Sequence, residues 1–165
     1  MGAAKVISAA LLAASGAVHA TEEPTYVVMQ KNEVFEVRRY EPYVVAEVVV
    51  PGPASEAGNQ GFGILAATAG GFLLQFVMPR GYTVATLPEP LDARVTLRDE
   101  PGKTVAVIRY SGGWSQASYD ENLVKMRQAL LAAGLKTEGE PIFSRYNSPM
   151  MPAFWRRNEI WLKLI

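Results

Sequence analysis

The residues best suited to chemistry lie near the C-terminus, in Arg145-Tyr146-Asn147-Ser148-Pro149-Met150-Met151-Pro152-Ala153-Phe154-Trp155-Arg156-Arg157-Asn158-Glu159. Pro149 and Pro152 each fix φ and remove a backbone donor, so the segment between them belongs in neither a helix nor an inner strand. Met150, Met151, Phe154 and Trp155 make this loop apolar, with Tyr146 on its entry side and Arg156 and Arg157 on its exit. An apolar wall beside fixed positive charge suits a flat, greasy ligand with an anionic edge. Methionine adapts to such a surface, and guanidinium meets carboxylate in a forked geometry. The same residues would also serve as a structured hairpin loop over one end of a core, with its arginines in solvent.

The N-terminus reads as a secretory leader. Lys5 supplies the positive start, residues 6–18 are apolar and alanine-rich, and Val18-His19-Ala20 gives small residues at the spacing of a cleavage site. The run is shorter than the roughly 20 residues a helical membrane span needs. Cleavage is expected after Ala20, leaving residues 21–165 as one exported domain, periplasmic or secreted, with no stable membrane insertion.

The only histidine, His19, falls inside that leader, and cysteine is absent. The domain therefore has no imidazole to serve as general base or metal ligand, and Ser–His–Asp and Cys–His mechanisms are excluded from it. Disulfides and thiolate chemistry are excluded as well. Sixteen basic and sixteen acidic residues give a formal net charge of zero. Their interspersion argues against nucleic acid, which needs a basic stripe.

These residues must be positioned by short strands and two helices. Residues 26–31, 34–40 and 44–50 alternate or are β-branched, and Pro51-Gly52-Pro53 stops the third run. Residues 54–69 read as a helix with Phe62, Leu65 and Ala69 on one face, weakened by Gly58, Gly61 and Gly63 and ended by Gly70-Gly71. Residues 72–78, 94–98 and 104–110 read as strands. Ser118 and Glu121 form a capping-box pattern opening a helix whose inner face is Tyr119, Leu123, Met126, Leu130 and Ala133, with Gly134 just past its end. Residues 142–146 and 158–164 complete the set. The second half thus reads strand-strand-helix-strand-strand. The first half is one strand short, between Ala69 and Phe72.

The run Phe35-Glu36-Val37-Arg38-Arg39-Tyr40-Glu41-Pro42-Tyr43-Val44-Val45-Ala46-Glu47 is followed by Phe76-Val77-Met78-Pro79, Leu87-Pro88-Glu89-Pro90, residues 105–112, and Tyr146-Asn147-Ser148-Pro149 through Arg156-Arg157-Asn158-Glu159. In this order the segments resemble the SOUL haem-binding family over most of residues 26–165. The resemblance implies an α+β fold: a distorted antiparallel β-barrel from a duplicated strand-strand-helix-strand-strand unit with two helices, similar to bacterial effector-binding domains. It implies non-catalytic binding of haem or another porphyrin at an apolar pocket near the first helix, weakly or non-axially ligated. Phe62, Leu65, Ala69, Tyr146, Met150, Met151, Phe154, Trp155, Arg156 and Arg157 are then the candidate cofactor-binding residues, with Met or Tyr146 available to iron. Family members carry an apolar strand just after the first helix that this chain lacks. Its absence would open the pocket, leave a ligand-free interaction module, or invite a second copy to pair there as a homodimer. A third reading is a small-molecule hydrolase, since effector-binding domains of similar fold include hydrolases that use Glu and aromatic residues. Glu47 with Tyr43 would carry it here.

Overall fold

In a computed structural model of the chain, residues 23–52, 64–68, 71–147 and 150–165 are described. The leader expected at residues 1–20, most of the expected first helix with Phe62 and Ala69, and the pair Ser148-Pro149 lie outside them. The described residues form nine strands and one α-helix: β1 (Tyr26–Lys31), β2 (Glu36–Tyr40), β3 (Tyr43–Val50), β4 (Ile64–Thr68), β5 (Gly71–Val77), β6 (Thr96–Glu100), β7 (Lys103–Ser111), α1 (Gln116–Ala132), β8 (Thr137–Arg145) and β9 (Arg157–Leu164). A short 3-10 turn, Ala153–Trp155, lies in the loop between β8 and β9.

All nine strands join one antiparallel sheet in the order β1-β2-β7-β9-β8-β4-β5-β3-β6. Leaving out β1, this order becomes its own reverse when β2, β3, β4 and β5 are exchanged for β6, β7, β8 and β9. The chain is therefore two copies of one strand-strand-strand-strand unit joined across the β4–β8 seam, where Ile64 faces Ser144. Register extends the match to single positions. Gln75 corresponds to Glu159, each opposite Ile64 or Ser144, and Glu47 to Arg109 as their partners on the other side.

Two expectations are corrected here. Residues 64–68 are not the end of a helix but strand β4, paired to β5 on one side and β8 on the other. The strand thought to be absent from the first half is this one, so the half-sheet is complete. Leu65, expected on a helix face, is a strand residue in register with Leu74 and Phe143.

No ladder among the described residues joins the two ends of the sheet, so the closed barrel is not found. The sheet is nevertheless rolled. Only Glu41-Pro42 links β2 to β3, six places away in the strand order, and only Pro101-Gly102 links β6 to β7. Two residues span about 7 Å, whereas six strand spacings in a flat sheet are roughly 29 Å. The two links touch where they cross: a Cβ on Gly102 would lie 3.0 Å from the Tyr40 carbonyl oxygen.

The roll creates two cores. On one face α1 packs Met126 and Leu130 against Phe35, Val37, Ala106, Ile108, Ile160 and Leu162. That layer continues through Phe143 to Val48, Val50, Phe72 and Leu74. On the other face Tyr40, Val105, Val107 and Trp161 meet Val77 and Tyr43 from the opposite half, and Tyr40 stacks on Trp161 at 4.6 Å. α1 begins one turn earlier than its capping-box pattern suggests: Ser115 is the N-cap, its side chain accepting from the Ser118 amide. Gly134 ends the helix at φ +69° as expected, and Ala133, expected on the inner face, is an exposed C-cap residue.

Gly71 opens β5 at φ +153°, and a Cβ there would run into the Val50 carbonyl oxygen. Gly71→Ala is therefore expected to destabilise the fold by about 3 kcal/mol, combining backbone strain with overpacking. Urea unfolding measures it; a change below about 0.5 kcal/mol would show that the hairpin is held some other way.

Candidate functional site

Strand β9 alternates Arg157, Glu159 and Trp161 on the inner face with Asn158, Ile160 and Leu162 on the helix face. Glu159 is fully buried. It accepts from Arg38 Nη1 at 3.0 Å, Arg157 Nη2 at 2.7 Å, the Tyr146 hydroxyl at 3.1 Å and Trp161 Nε1 at 3.0 Å. Arg157 also reaches Glu23 at 2.6 Å, and Arg38 donates to Glu36 at 2.8 Å and to the Tyr40 hydroxyl at 3.1 Å. Burial opposes the Arg38 charge, yet Glu159 holds its pKa above the ordinary value. Burial raises the Tyr146 hydroxyl far above its usual range, with Glu159 adding to the effect. A carboxylate with its lone pairs occupied by four side chains has no free site from which to take a substrate proton. This cluster ties Arg38, Tyr146, Arg157 and Trp161 to one buried carboxylate at the end of the roll.

Above it lies an open groove of about 380 Å³, lined by Lys31, Glu36, Arg38, Arg109, Trp155 and Arg156 among others. Its walls come from the β1–β2 turn, the end of β7 and the β8–β9 loop. Arg109 is exposed and sits opposite Glu159 on the ladder. Trp155 is 69% exposed, Phe154 68% and Met150 91%, and the rings of Phe154 and Trp155 meet edge to face at 5.1 Å. Three large apolar side chains thus stand in solvent within six residues, beside a cationic groove. Singly scattered exposed hydrophobics are ordinary, but a contiguous group marks a contact surface.

The structure brings Trp155, Arg156 and Arg157 together in this groove, with Phe154 and Met150 exposed on the same loop. Arg157 is committed to Glu23 and Glu159. Met151 is half-buried, and its carbonyl accepts from Arg156 Nε at 2.8 Å. Tyr146 is partly buried, with its ring 4.0 Å beneath the Arg157 guanidinium, and does not line the groove. Sequence reasoning missed Lys31, Arg38 and Arg109. The arginines carried a usable signal, because Arg38 and Arg109 alternate with Val37, Ile108 and Tyr110 and so share one face of their strands.

Among the described residues no cluster of three or more His, Cys, Asp or Glu is placed to hold a metal, and no helix is long and apolar enough to cross a membrane. The residues present fit the carboxylate edge and ring face of a porphyrin. They offer iron no imidazole, and the Tyr146 hydroxyl is occupied by Glu159.

Glu47 and Tyr43 lie in the corresponding half-site. Glu47 accepts from Arg98 at 3.0 Å and from Gln75 at 3.0 Å; burial raises its pKa, but these bonds win and hold it below the ordinary value. The Tyr43 hydroxyl is buried without a partner, and burial pushes its pKa up. Glu36 is likewise lowered, first by its bond to Lys31. Carboxylates with depressed folded pKa values stabilise the fold above their unfolded pKa, and that stability is lost as pH falls through the folded value. The urea midpoint is therefore expected to hold steady from neutral pH to near 4.5, the ordinary value for these carboxylates, and to drop below it. A midpoint that rises on acidification through that range would contradict these pairings.

A second cleft of about 360 Å³ is lined by Glu23, Glu41, Tyr43, Met78, Tyr82 and Asp99 among others. Its carboxylates repel an anionic ligand.

Comparison with known proteins gives one family and one shared fold. Residues 21–71 and 66–163 match the SOUL heme-binding protein family, the two segments overlapping across the turn between β4 and β5. No curated protein matches. Among solved structures, a hydrolase from Listeria innocua superposes with a TM-score of 0.59 at 12% identity, covering 83% of this chain and 94% of that one. The crystal structure of the EcmrR C-terminal domain gives 0.53 at 12% identity, covering 79% and 96%. EcmrR in a cryo-EM complex with DNA gives 0.53 at 10% identity, covering 79% of this chain and 56% of that one. At such identities these likenesses show the fold alone. The family match spans most of the chain, and the protein belongs to the SOUL heme-binding protein family.

Proposed function

We propose that the domain binds haem or a related tetrapyrrole, without chemistry of its own, in the groove beside the β8–β9 loop. The observation that carries this reading is the exposed Trp155, with the Phe154 ring edge to face on it, in one groove with Lys31, Arg109 and Arg156. Burying the ring face drives binding at roughly 25 cal/mol per Å² before association costs. The cations orient the propionates. At 380 Å³ the groove is at the low end of ligand clefts, so it grips the edge and one face of a macrocycle and leaves the other face open. Bound haem would supply its own iron chemistry, and this chain's part is to hold the ring by contact and charge. Support comes from the family match.

Hemin titrated into residues 21–165 should give a shifted, saturable Soret band with a one-to-one endpoint. Uptake that never saturates and matches unspecific partition would reject the reading. Export belongs to the same proposal. Protein recovered from the periplasm should have the intact mass of a chain starting at Thr21, whereas a full-length mass would count against a cleaved leader.

The hydrolase reading gains less support. Glu47 is engaged by Arg98 and Gln75, and Glu159 by four donors.

A further inference from the structure

Arg145 is the one cation among the buried charged residues for which the described residues provide no counter-charge. It is 2% exposed, and its Nε and Nη1 are buried with no hydrogen-bond partner. The other buried arginine, Arg38, is held by two carboxylates. Arg145 instead has aromatic rings. Its guanidinium carbon lies 4.8 Å from the ring centre of Trp114 and 4.8 Å from that of Phe143. Tyr110 is the charged or titratable group felt most strongly there, and burial pulls the Arg145 pKa down to about 10. A guanidinium kept from water with unmet donors is costly, and faces of aromatic rings offset only part of that cost.

Two further features converge on the same place. The Arg156 guanidinium carbon lies 4.6 Å from the centre of the same Trp114 ring, so two cations share one indole. Trp114 immediately precedes Ser115, the N-cap of the 17-residue helix α1, whose first turn contains no acidic residue. The first turn has no carboxylate of its own, the nearest being Asp120, which accepts from Gln116 Nε2 at 2.8 Å, and the positive end of the helix follows directly on the Trp114 that carries both arginines. Trp114 is itself fixed, its Nε1 donating to Asn158 Oδ1 at 2.8 Å while Asn158 Nδ2 donates to the Gly112 carbonyl at 3.1 Å. The stack is thus built on a rigid support.

We propose that Arg145, Arg156 and the first turn of α1 form an oxyanion site, taking a carboxylate or phosphate group. Arg145 supplies the two unmet donors, Arg156 a second charge, and Trp114 the platform that holds them in place. Because Arg156 also lines the groove, the oxyanion has two sources: a free small anion, or a propionate of a tetrapyrrole seated in that groove.

The test compares wild type, Arg145→Met and Arg156→Met. In the first arm, inorganic phosphate is titrated at constant ionic strength against a chloride control, with the melting temperature as readout. In the second, protoporphyrin IX is compared with its dimethyl ester, whose carboxylates are blocked. A free-anion site gives a saturable phosphate-dependent rise in melting temperature that Arg145→Met abolishes. A propionate site gives a free-acid preference of about tenfold over the ester, the worth of one charge-assisted bond, and Arg145→Met erases it. Arg145→Met should melt no lower than wild type without ligand, since it removes a buried charge that has no counter-charge and leaves an apolar side chain against Trp114 and Phe143. If it fails to fold, Arg156→Met carries the same comparisons. Phosphate stabilisation and ester discrimination that both survive the folded variants, or are both absent from wild type, overturn the proposal. The phosphate arm does not depend on porphyrin binding, so its result stands apart from the hemin titration.

Discussion

Glu159→Gln should cost about 3–5 kcal/mol of folding stability, the largest effect of any single charge change in this domain. The carboxylate is fully buried and neutralises Arg38, whose side chain is 3% exposed, and it shares Arg157 with Glu23. Gln keeps the volume but removes the charge. It also puts an amide donor among the guanidinium, phenol and indole donors of Arg38, Arg157, Tyr146 and Trp161. Arg38 is then left with Glu36 alone. Arg39→Gln, at an exposed position on the neighbouring face of β2, should stay within about 0.5 kcal/mol. Urea unfolding of both variants decides the matter. A Glu159→Gln protein as stable as the Arg39→Gln control would mean that the network does not hold the rolled sheet together.

The second large effect concerns binding. Replacing Phe154 and Trp155 together by alanine should weaken hemin binding by about a hundredfold, because paired aromatic anchors dominate such contacts. The same double variant should unfold at the wild-type urea midpoint within about 0.5 kcal/mol, since both side chains are about two-thirds exposed and support no core. Unchanged affinity would remove the loop from the site. A large loss of stability would show that these rings pack in a way their exposure does not suggest. Trp155 also provides a built-in reporter. Its emission should be quenched as hemin binds, and Trp155→Phe should remove that share of the signal.

Much of the fold was legible because local patterns and tertiary structure agree. The alternation at Tyr26–Lys31 gives β1 at its observed bounds, and the Val44–Val50 run gives most of β3. The spacing of Tyr119, Leu123, Met126 and Leu130 gives the face of α1 that meets the sheet. The reading failed at β4 for a physical reason. Ile64-Leu65-Ala66-Ala67-Thr68 is a short apolar run, and a strand set between β5 and β8 at the centre of a sheet has no need to alternate, so its period cannot be told from that of a helix. The apparent gap after Ala69 was the same error in another form. α1 starts at Ser115 although Ser118 and Glu121 have the better box pattern, because Gly112 and Gly113 release the chain one turn earlier.

The site was half legible. Pro149, Pro152 and the aromatics between them and Arg156 announced an exposed apolar loop. The other wall, Lys31 and Arg109, comes from strands far away in sequence, and no local pattern could bring them there. Glu159 carried no local signal of burial. It is buried because β9 lies between β7 and β8 with both faces covered, and its partner Arg38 is 121 residues away. The charges permute between the two halves. Glu36 and Arg38 occupy the positions that Arg98 and Glu100 hold in the other copy, and Glu159 stands where Gln75 does. Separately, the groove by the β8–β9 loop carries mostly cations, while the second cleft is lined by Glu23, Glu41 and Asp99 with Arg80 as its one cation.

Amide NMR spectra of residues 21–165, recorded with and without one equivalent of hemin, test the central claim most directly, because paramagnetic broadening falls off steeply with distance from the iron. Signals should be lost around residues 31–36, 107–111 and 150–157, while those of residues 79–83 in the acidic cleft keep their intensity. Broadening centred on residues 79–83, or spread evenly over the surface, would contradict a macrocycle held between the aromatic loop and the basic groove.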